Sequence, residues 1–334
     1  MKVLVVHGWL TGNLGEELML HPLLSALRSR GPETLELAGW PARPAESMAR
    51  VAKLVDRFIP EEPFRPKSWR GSVRYKLTTA RARKRLLKAY DVIISKPGPY
   101  LASRDGRVLN ALTDVELGKA MGKRVIISNH SIGPLERKQL SVLRKADLVV
   151  AREPVTARYL EHHGCSFFFG ADPAFVYNFK KADEHAVDCP NHDLVFLRFN
   201  NLDLNSIMLR DGGLVSNEEW LVPPRNNPLA LASSDTGKDL EKLSALATRL
   251  GLPVLSFDSV DAMMAAIRAA TGVFSDRYHP AVCAKIAGTP VHILEFRREA
   301  QKMDGLREML EEPIDTLVAR SAMGLERVCD AAFN

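Results

Sequence analysis

The feature that most constrains this chain is a repeated alternation of short apolar runs with longer amphipathic segments. The runs are rich in Val, Ile and Leu and are bounded by Gly, Pro or Asn, as at Val3–His7, 91–95, 124–128 and 147–151. Such short apolar runs are typical of strands that are buried on both faces of a parallel sheet. Helical patterns of about 10–15 residues between strands indicate βαβ units. The sequence therefore predicts an α/β fold.

A polar, aperiodic stretch at Phe179–His192 divides this alternation into two halves. In the first half, predicted helices at Glu16–Arg28 and Ala45–Phe58 lie on either side of a short strand at Thr34–Leu37. In the second half, a long polar connection at 200–227 interrupts the pattern, and loops of such length are usually functional or disordered. The elements predicted there are strands at 193–199, 229–232, 254–257, 272–275 and 291–294 and helices at 238–250, 259–270 and 281–287.

Two α/β domains that face each other across a cleft are the simplest architecture for this pattern. We predict an N-terminal domain over residues 1–180 and a C-terminal domain over residues 190–334, with the last helix a candidate to pack back on the first domain. No apolar run approaches the ~18 residues that a membrane helix needs. The first strand reaches glycine too early for a signal peptide, so a cytoplasmic protein is predicted.

The cysteines do not indicate a metal site or a disulfide framework. Cys165, Cys189, Cys283 and Cys329 lie far apart, whereas zinc sites and disulfide-rich domains use tighter spacing. Cys189 and His192 together could supply two metal ligands, but no further ligands are close in the sequence. We therefore predict free thiols and no bound metal.

A basic segment, residues 63–90, carries ten Lys or Arg residues and no acidic residue, in a chain of formal net charge +6. Such a block favours an anionic surface. Apolar residues at helical spacing within it predict a cationic amphipathic helix, and they are Trp69, Val73, Leu77, Ala80 and Leu87. Two interpretations stay open: residues 65–88 lie on the inner membrane face, or the helix packs on its own domain with a solvated basic face. No helix-turn-helix, zinc or RNA-recognition pattern occurs, so a nucleic-acid partner is not expected.

A candidate site lies at Thr271–Pro280. The run Gly272–Ser275 predicts a buried strand, and Pro280 suits the first turn of a helix, where its missing N–H is no loss. Arg277 and His279 therefore lie between the end of a strand and the start of a helix, where α/β proteins collect ligands. The pair suggests a guanidinium that binds a carboxylate or phosphate and an imidazole that moves a proton. The alternative is that both side chains only satisfy the backbone of a turn.

Five segments, in order, resemble the polysaccharide pyruvyl transferase family. They are Gly8–Glu17, with a glycine–asparagine loop and an acidic pair; Ile127–Pro134, which resembles a Gln-Ser-Ile-Gly-Pro segment; Ala151–Leu160, a strand–Arg–Glu–helix element; Ala171–Phe175, with its Asp-Pro; and Arg277–Val291, with Arg-Tyr-His and Gly-Thr-Pro. The chain departs from the family in two places. Ser95–Tyr100 stands where paired glycines are usual, and His130 replaces the glutamine. Both departures lie in the first half and so concern the acceptor.

The resemblance implies a fold similar to the two-domain GT-B type and a reaction used in polysaccharide and exopolysaccharide synthesis for the cell envelope. The carboxyethylidene group of phosphoenolpyruvate would move to two hydroxyls of one sugar and release phosphate, with no other cofactor. The acceptor would be a polysaccharide precursor, with a polyprenyl-diphosphate-linked saccharide among the candidates. Arg152 and Arg277 would bind the donor from opposite domains, Lys302 would add a charge against phosphate, and His279 would supply the proton.

Each of these residues also has a plain structural interpretation. Arg152 could pair with Glu153 at its helix start, and Lys302 could lie on a solvated helix face. Asn13 could cap the first helix, since Asn is a good N-cap, or contact the acceptor together with Glu16. His130 and Asp172 are further candidates to line the cleft, and His7 is assigned no role.

An alternative function is a GT-B glycosyltransferase with a nucleotide-sugar donor. Such an enzyme would also bind its donor at the strand ends of the C-terminal domain. It would need an acidic residue for the ribose, and Glu295 could serve.

Overall fold

The computed structural model describes most of the chain, and the account below is limited to that part. The described ranges are residues 1–9, 12–40, 49–61, 81–102, 107–198, 204–217, 219–235, 237–294 and 300–334.

The described residues of the first half form one sheet of eight strands, and every pairing in it is parallel. The strands are β1 (Lys2–Trp9), β2 (Thr34–Trp40), β3 (Arg57–Pro60), β4 (Val92–Ser95), β5 (Gly98–Leu101), β6 (Arg124–Ile132), β7 (Leu148–Ala151) and β8 (Phe168–Phe169). Their order is β3-β2-β1-β4-β6-β7-β8, with β5 paired to β6. The helices are α1 (Leu14–Ser29), α2 (Ala49–Ala52), α3 (residues 81–88), α4 (Arg107–Ala120), α5 (Arg137–Leu143) and α6 (Pro154–His162).

The predicted helix at Ala45–Phe58 is wrong over its last part. The helix α2 ends at Ala52, and the chain then forms the edge strand β3, whose Arg57 pairs in register with Glu36 of β2. Arg57 also donates two hydrogen bonds to the Glu36 carboxylate, and Phe58 packs against the core of the sheet. A short apolar run is compatible with a helix end or a strand, and here the pairing with β2 decides.

The described residues of the second half form eight more strands, divided between two sheets. They are β9 (Asp193–Phe196), β10 (Ile207–Arg210), β11 (Gly213–Ser216), β12 (Glu219–Val222), β13 (Leu229–Ser233), β14 (Val254–Ser256), β15 (Gly272–Ser275) and β16 (Val291–Ile293). Five form a parallel sheet of order β14-β13-β9-β15-β16, which matches the predicted strands. The helices α7 (Lys238–Leu250), α8 (Val260–Ala269) and α9 (Tyr278–Ala287) connect them.

The long connection between β9 and β13 is not an irregular loop. Its described part contains the antiparallel sheet β10-β11-β12. Ile207, Leu214 and Val222 are fully buried and pack in one cluster with Val195 and Leu231 of the parallel sheet. The meander therefore extends the core of the second half.

The last two helices, α10 (Ala300–Glu311) and α11 (Ile314–Phe333), return the chain to the first sheet. Ser321 of α11 donates a hydrogen bond of 2.9 Å to the carbonyl of Asp172. Val328 and Ala332 of α11 are fully buried in a cluster that includes Val3 of β1. The two halves of the fold are thus joined by packed helices as well as by the chain itself.

The basic segment is described only from residue 81 onward, and residues 62–80 lie outside the described part. In α3, Leu87 is fully buried against the first sheet, while Arg81 and Arg85 are exposed. Arg83 points inward and pairs with Asp114 of α4. The described part of the segment therefore packs on its own domain with a basic outer face.

Two global features concern the described residues only. None of their helices is long and apolar enough to cross a membrane. The four cysteines are free thiols; Cys165, Cys283 and Cys329 are buried, and Cys189 is half-buried.

We predict that Gly170→Ala lowers the free energy of unfolding, by about 1–3 kcal/mol for an overpacked contact. An added Cβ at Gly170 would lie 2.7 Å from Gly324 Cα of α11 and 2.9 Å from a Val150 methyl carbon. Urea unfolding measures the change. Met323→Ala, beside Gly324 but 49% exposed, is the control and should change stability little. A Gly170→Ala protein as stable as the wild type would contradict the close packing of α11 on Gly170.

Candidate active site

Arg152 is the centre of the first group of polar residues, at the carboxyl end of β7. It is fully buried, and its guanidinium donates to Asp172 Oδ2 and to Glu153 Oε2, each at 3.1 Å. It also donates to Ser131 Oγ and lies over the ring of Tyr278, 4.1 Å from the ring centroid. Tyr278 comes from the second half, so one cation holds groups from both halves.

The charge on Arg152 is stabilised by its neighbours. Burial opposes that charge, but Tyr278, Glu153 and Asp172 outweigh it and raise the pKa of Arg152 above its ordinary value. Burial would likewise raise the pKa of Asp172, yet the hydrogen bond and charge of His279 and the charge of Arg152 lower it. Both groups are therefore ionised at neutral pH.

His279 of α9 joins this group from the second half. Its Nε2 lies 3.7 Å from Asp172 Oδ2, and its ring packs on Gly15 at the start of α1. Helix α9 begins here because Arg277 has extended backbone geometry and Pro280 occupies the first turn. We call Ser131, Arg152, Glu153, Asp172, Tyr278 and His279 the interdomain cluster.

Arg277 precedes α9 and faces a different partner. Its guanidinium pairs with Asp239 of α7, and its side chain is 15% exposed. Ser275 Oγ accepts a hydrogen bond of 2.9 Å from the Arg277 backbone N–H and donates one of 2.8 Å to the Arg277 carbonyl, which fixes the turn. Arg277 is thus held at the carboxyl end of β15 next to His279.

A second polar group lies at the carboxyl ends of β1, β4 and β6. His7 Nδ1 is 3.0 Å from Ser95 Oγ, which is 3.2 Å from His130 Nε2. His7 Nε2 is 2.9 Å from Asp114 Oδ2, and Asp114 is also paired with Arg83. Burial lowers the pKa of His130 to about 3. We call His7, Ser95, Asp114 and His130 the strand-end cluster.

Glu16 and Lys96 connect the two clusters. Lys96, the residue after Ser95, is fully buried and pairs with Glu16. Glu16 directly follows Gly15, on which the ring of His279 packs. Lys96 also donates to the Pro97 carbonyl at 3.0 Å and lies 4.6 Å from the Tyr100 ring centroid. His130 and Ser131 are adjacent in β6, one in each cluster. The two clusters therefore form one continuous polar region.

The remaining residues that the sequence predicted for the site have different positions in the structure. Asn13 caps α1, its side chain accepting from Gly15 N at 3.0 Å, so the capping interpretation is confirmed. Asp172 caps a short 3-10 turn by accepting from Ala174 N at 2.9 Å. The side chain of Lys302 and all of Glu295 lie outside the described residues. In the described part of the chain, no group of three or more His, Cys, Asp or Glu is arranged to hold a metal.

The sequence interpretation missed His7, Ser95 and Asp114. A signal existed for the first two, because both lie at carboxyl ends of parallel strands, where ligands collect. No signal marked Asp114, which lies in the middle of α4 and reaches His7 only in the folded chain.

Comparison with known proteins gives the family. The family model "Polysaccharide pyruvyl transferase" matches residues 13–296, which is most of the chain. The chain belongs to the polysaccharide pyruvyl transferase family. The resemblance seen in the sequence is thereby confirmed. No curated protein is a significant match.

The fold is shared with nucleotide-sugar enzymes of low sequence identity. The UDP-GlcNAc 2-epimerase of Methanocaldococcus jannaschii, solved with UDP-GlcNAc and UDP, is 12% identical with a TM-score of 0.66, and the match covers 100% of both chains. A putative UDP-N-acetylglucosamine 2-epimerase of Listeria monocytogenes is 14% identical with a TM-score of 0.58, covering 99% of this chain and 91% of its own. This likeness and the two parallel sheets confirm the predicted GT-B-like pair of Rossmann-like domains.

We predict that Gly15→Ala disturbs the contact between the two halves. Helix propensity alone would favour Ala by about 1 kcal/mol, but the new Cβ would lie 2.2 Å from His279 Nδ1. We therefore expect a lower melting temperature and, in small-angle X-ray scattering, a larger radius of gyration. Gly15→Ala together with His279→Ala removes the clash and should restore compactness. An unchanged radius in the single variant would contradict the contact.

Proposed function

We propose that this protein is a pyruvyltransferase that moves the carboxyethylidene group of phosphoenolpyruvate onto two hydroxyls of a sugar and releases phosphate. The observation that carries the proposal is the position of Arg277 and His279 at the start of α9, beside buried Arg152 from the other half. Family membership supports the reaction class. The donor, the acceptor and the residue roles are proposals.

The donor needs cations, since it carries a carboxylate and a phosphate. Guanidinium groups bind both anions in a bidentate manner. Arg277 is the more accessible of the two arginines, because its side chain is 15% exposed, whereas that of Arg152 is fully buried among carboxylates. We therefore assign the first contact with the donor to Arg277. Arg152 then positions Asp172 and Tyr278, and Lys302 is a further candidate for phosphate.

The chemistry begins with protonation of the methylene carbon of the donor. This step leaves an oxocarbenium-like centre, which a sugar hydroxyl attacks. We assign the proton to His279, because Asp172 Oδ2 lies 3.7 Å from its Nε2 and stabilises positive charge on the ring. General acid help of this kind is typically worth about 10²–10⁴-fold in rate. A second hydroxyl then closes the ketal as phosphate leaves.

A nucleotide-sugar glycosyltransferase is the competing function. The Methanocaldococcus jannaschii epimerase with a similar fold was solved with UDP-GlcNAc and UDP, so UDP is the appropriate competing ligand. At these identities the likeness supports the fold alone. We therefore rank this function second.

We predict that phosphoenolpyruvate binds the wild-type protein in calorimetric titrations at low salt and that Arg277→Ala weakens it. Loss of a charged hydrogen bond costs about 1.5–3 kcal/mol, which is roughly 10–150-fold in Kd. Arg210→Ala, an exposed arginine on β10, is the matched control and should bind as the wild type does.

Titration with UDP distinguishes the two functions. Binding of UDP without binding of phosphoenolpyruvate would reject the pyruvyltransferase proposal in favour of a nucleotide-sugar donor. If phosphoenolpyruvate binds equally well to wild type and Arg277→Ala, the role of Arg277 is rejected and the rest of the proposed function stands.

We further propose that the protein works in the cytoplasm and touches the inner membrane face through the basic segment 65–88, where a polyprenyl-linked acceptor would lie. In α3, the exposed Arg81, Lys84 and Arg85 supply a cationic surface. Anionic head groups attract such a surface by about 1 kcal/mol for each cation near it.

Flotation tests this contact. Wild type should float with vesicles that contain an anionic lipid but not with neutral vesicles, and Arg81→Glu, Lys84→Glu and Arg85→Glu combined should abolish flotation. Arg83 is left unchanged because it is paired with Asp114. A wild type that never floats would remove the membrane contact and leave the transferase proposal intact.

A further inference from the structure

The strand-end cluster contains a continuous chain of polar atoms in contact, which the proposed donor site does not use. Asp114 Oδ2 contacts His7 Nε2 at 2.9 Å, and His7 Nδ1 contacts Ser95 Oγ at 3.0 Å. Ser95 Oγ contacts His130 Nε2 at 3.2 Å, and His130 Nδ1 contacts the Ser128 carbonyl at 2.8 Å. These four links form one path along the carboxyl edge of the first sheet.

The carbonyl at the end of this path fixes the first hydrogens. A carbonyl oxygen only accepts, so His130 Nδ1 carries a proton toward Ser128. Burial lowers the pKa of His130 to about 3 despite that hydrogen bond, so the ring is neutral at pH 7 and its Nε2 has no proton. The hydrogen bond between Ser95 Oγ and His130 Nε2 therefore forms only when Ser95 donates its own hydroxyl proton.

The neutral path is one proton short. Its four links need four protons, whereas neutral His7, Ser95 and His130 supply three. Asp114 does not supply the fourth: burial would raise its pKa, but the charge and hydrogen bonds of Arg83, together with His7, lower it to about 2. The path is complete only when His7 is an imidazolium that donates to Asp114 and to Ser95.

The groups around His7 keep it neutral until a proton is offered. Burial has the largest effect and lowers the pKa of His7 below 6.5, and the charges of Arg83 and Lys96 act in the same direction. The hydrogen bond and charge of Asp114 oppose them. His130 is neutral, so it adds no charge near His7. His7 is thus a base at neutral pH, with a carboxylate in contact to stabilise the charge it would gain.

Ser95 is the member of the path that has a proton acceptor on either side. Its oxygen has one proton and two lone pairs, and two histidine nitrogens compete for that proton. Among the described residues, only these two histidines form side-chain contacts with Ser95 Oγ, so one of its lone pairs can accept a further hydrogen bond. The next residue, Lys96, pairs with Glu16 beside the contact of Gly15 with His279. Ser95 therefore lies at the edge where the proton donor of the proposed reaction also lies.

We propose that Ser95 Oγ receives the proton of the attacking sugar hydroxyl and passes its own proton to His7. The inference rests on the proposed function for the nature of the substrate. The sugar O–H bond breaks as a new O–H bond forms on Ser95, and the former Ser95 O–H bond breaks as N–H forms on His7 Nδ1. The electron pair left on the sugar oxygen forms the new C–O bond, and nothing is oxidised or reduced.

The proton count of the whole reaction closes. Two hydroxyl protons are lost when the ketal forms. One is balanced by the proton added to the methylene carbon, and the other leaves with phosphate. His7 therefore holds a proton only between attack of the hydroxyl and release of phosphate.

Ser95→Ala and His7→Asn test the path, with Ser216→Ala as the matched control. Asn tolerates the left-handed backbone at His7, where φ is 67°, and Ser216 is a buried, hydrogen-bonded serine on β11 far from the path in the sequence. Phosphate release from phosphoenolpyruvate is followed from pH 5 to 9 with p-nitrophenyl hexosides as probe acceptors. Ring-nitrogen NMR of ¹⁵N-histidine-labelled protein follows His7 without any substrate, and calorimetry follows the donor.

We expect the acid limb of the wild-type kcat/KM profile to rise with pH as His7 loses its proton. Ser95→Ala and His7→Asn should lower turnover about 10²-fold, the low end for a lost acid–base group, while donor binding and the Ser216→Ala enzyme stay unchanged. In Ser95→Ala the NMR titration of His7 should move to lower pH, because the imidazolium loses one of its two acceptors.

Two results would overturn the inference. One is a Ser95→Ala enzyme that turns over as fast as the wild type. The other is a His7 ring titration that is identical in Ser95→Ala and wild type. This second result can be obtained even when no probe sugar reacts. A wild type that does not bind phosphoenolpyruvate would instead reject the proposed function, and the NMR titration would still decide whether the path takes up a proton.

Discussion

The fold depends on a buried guanidinium whose contacts come from both halves of the chain. Removing Arg152 from water is costly, and that cost is offset only by nearby anions and full hydrogen bonding. Glu153 and Asp172 supply the charge from the first half, and Tyr278 covers the group from the second. Because Asp172 also faces His279, the interaction that holds the halves together also sets the charge around the proposed proton donor.

A second set of charges, in which half-buried Arg50 meets buried carboxylates, joins the halves beyond that cluster. Arg50 of α2 pairs with Asp261 of α8, donates to Tyr177 Oη at 2.9 Å and lies 3.5 Å from Glu17 of α1. Tyr177 in turn donates to Glu17 at 2.7 Å. Burial raises the pKa of Glu17, although the Tyr177 hydrogen bond and the charge of Arg50 act against it. The contacts of Arg50 with Asp261 and of His279 with Asp172 therefore join the two halves at two separate places.

The sequence predicted the elements and strand ends better than the partners of each side chain. The positions of Arg152, Arg277 and His279 follow from local patterns, because a strand followed by a helix start is visible in a few residues. That Arg152 is neutralised by Asp172 is not visible locally, because twenty positions separate them and only the fold brings them to 3.1 Å. Asp114 is harder still, since a polar residue within a helix is most often on a solvated face.

The same limit explains why His7 received no role from its sequence. A single histidine after an apolar strand has no local mark of function, and its character comes from Ser95, 88 positions away, and from Asp114. In the proposed reaction, which must both give and take a proton, the two clusters would divide the work. In the interdomain cluster, two carboxylates surround one fixed cation, which favours positive charge on His279. In the strand-end cluster, burial and the nearby cations leave His7 neutral. The surroundings of these two histidines, one from each half of the chain, favour opposite charge states, which is the condition for a proposed acid and a proposed base to act at the same pH.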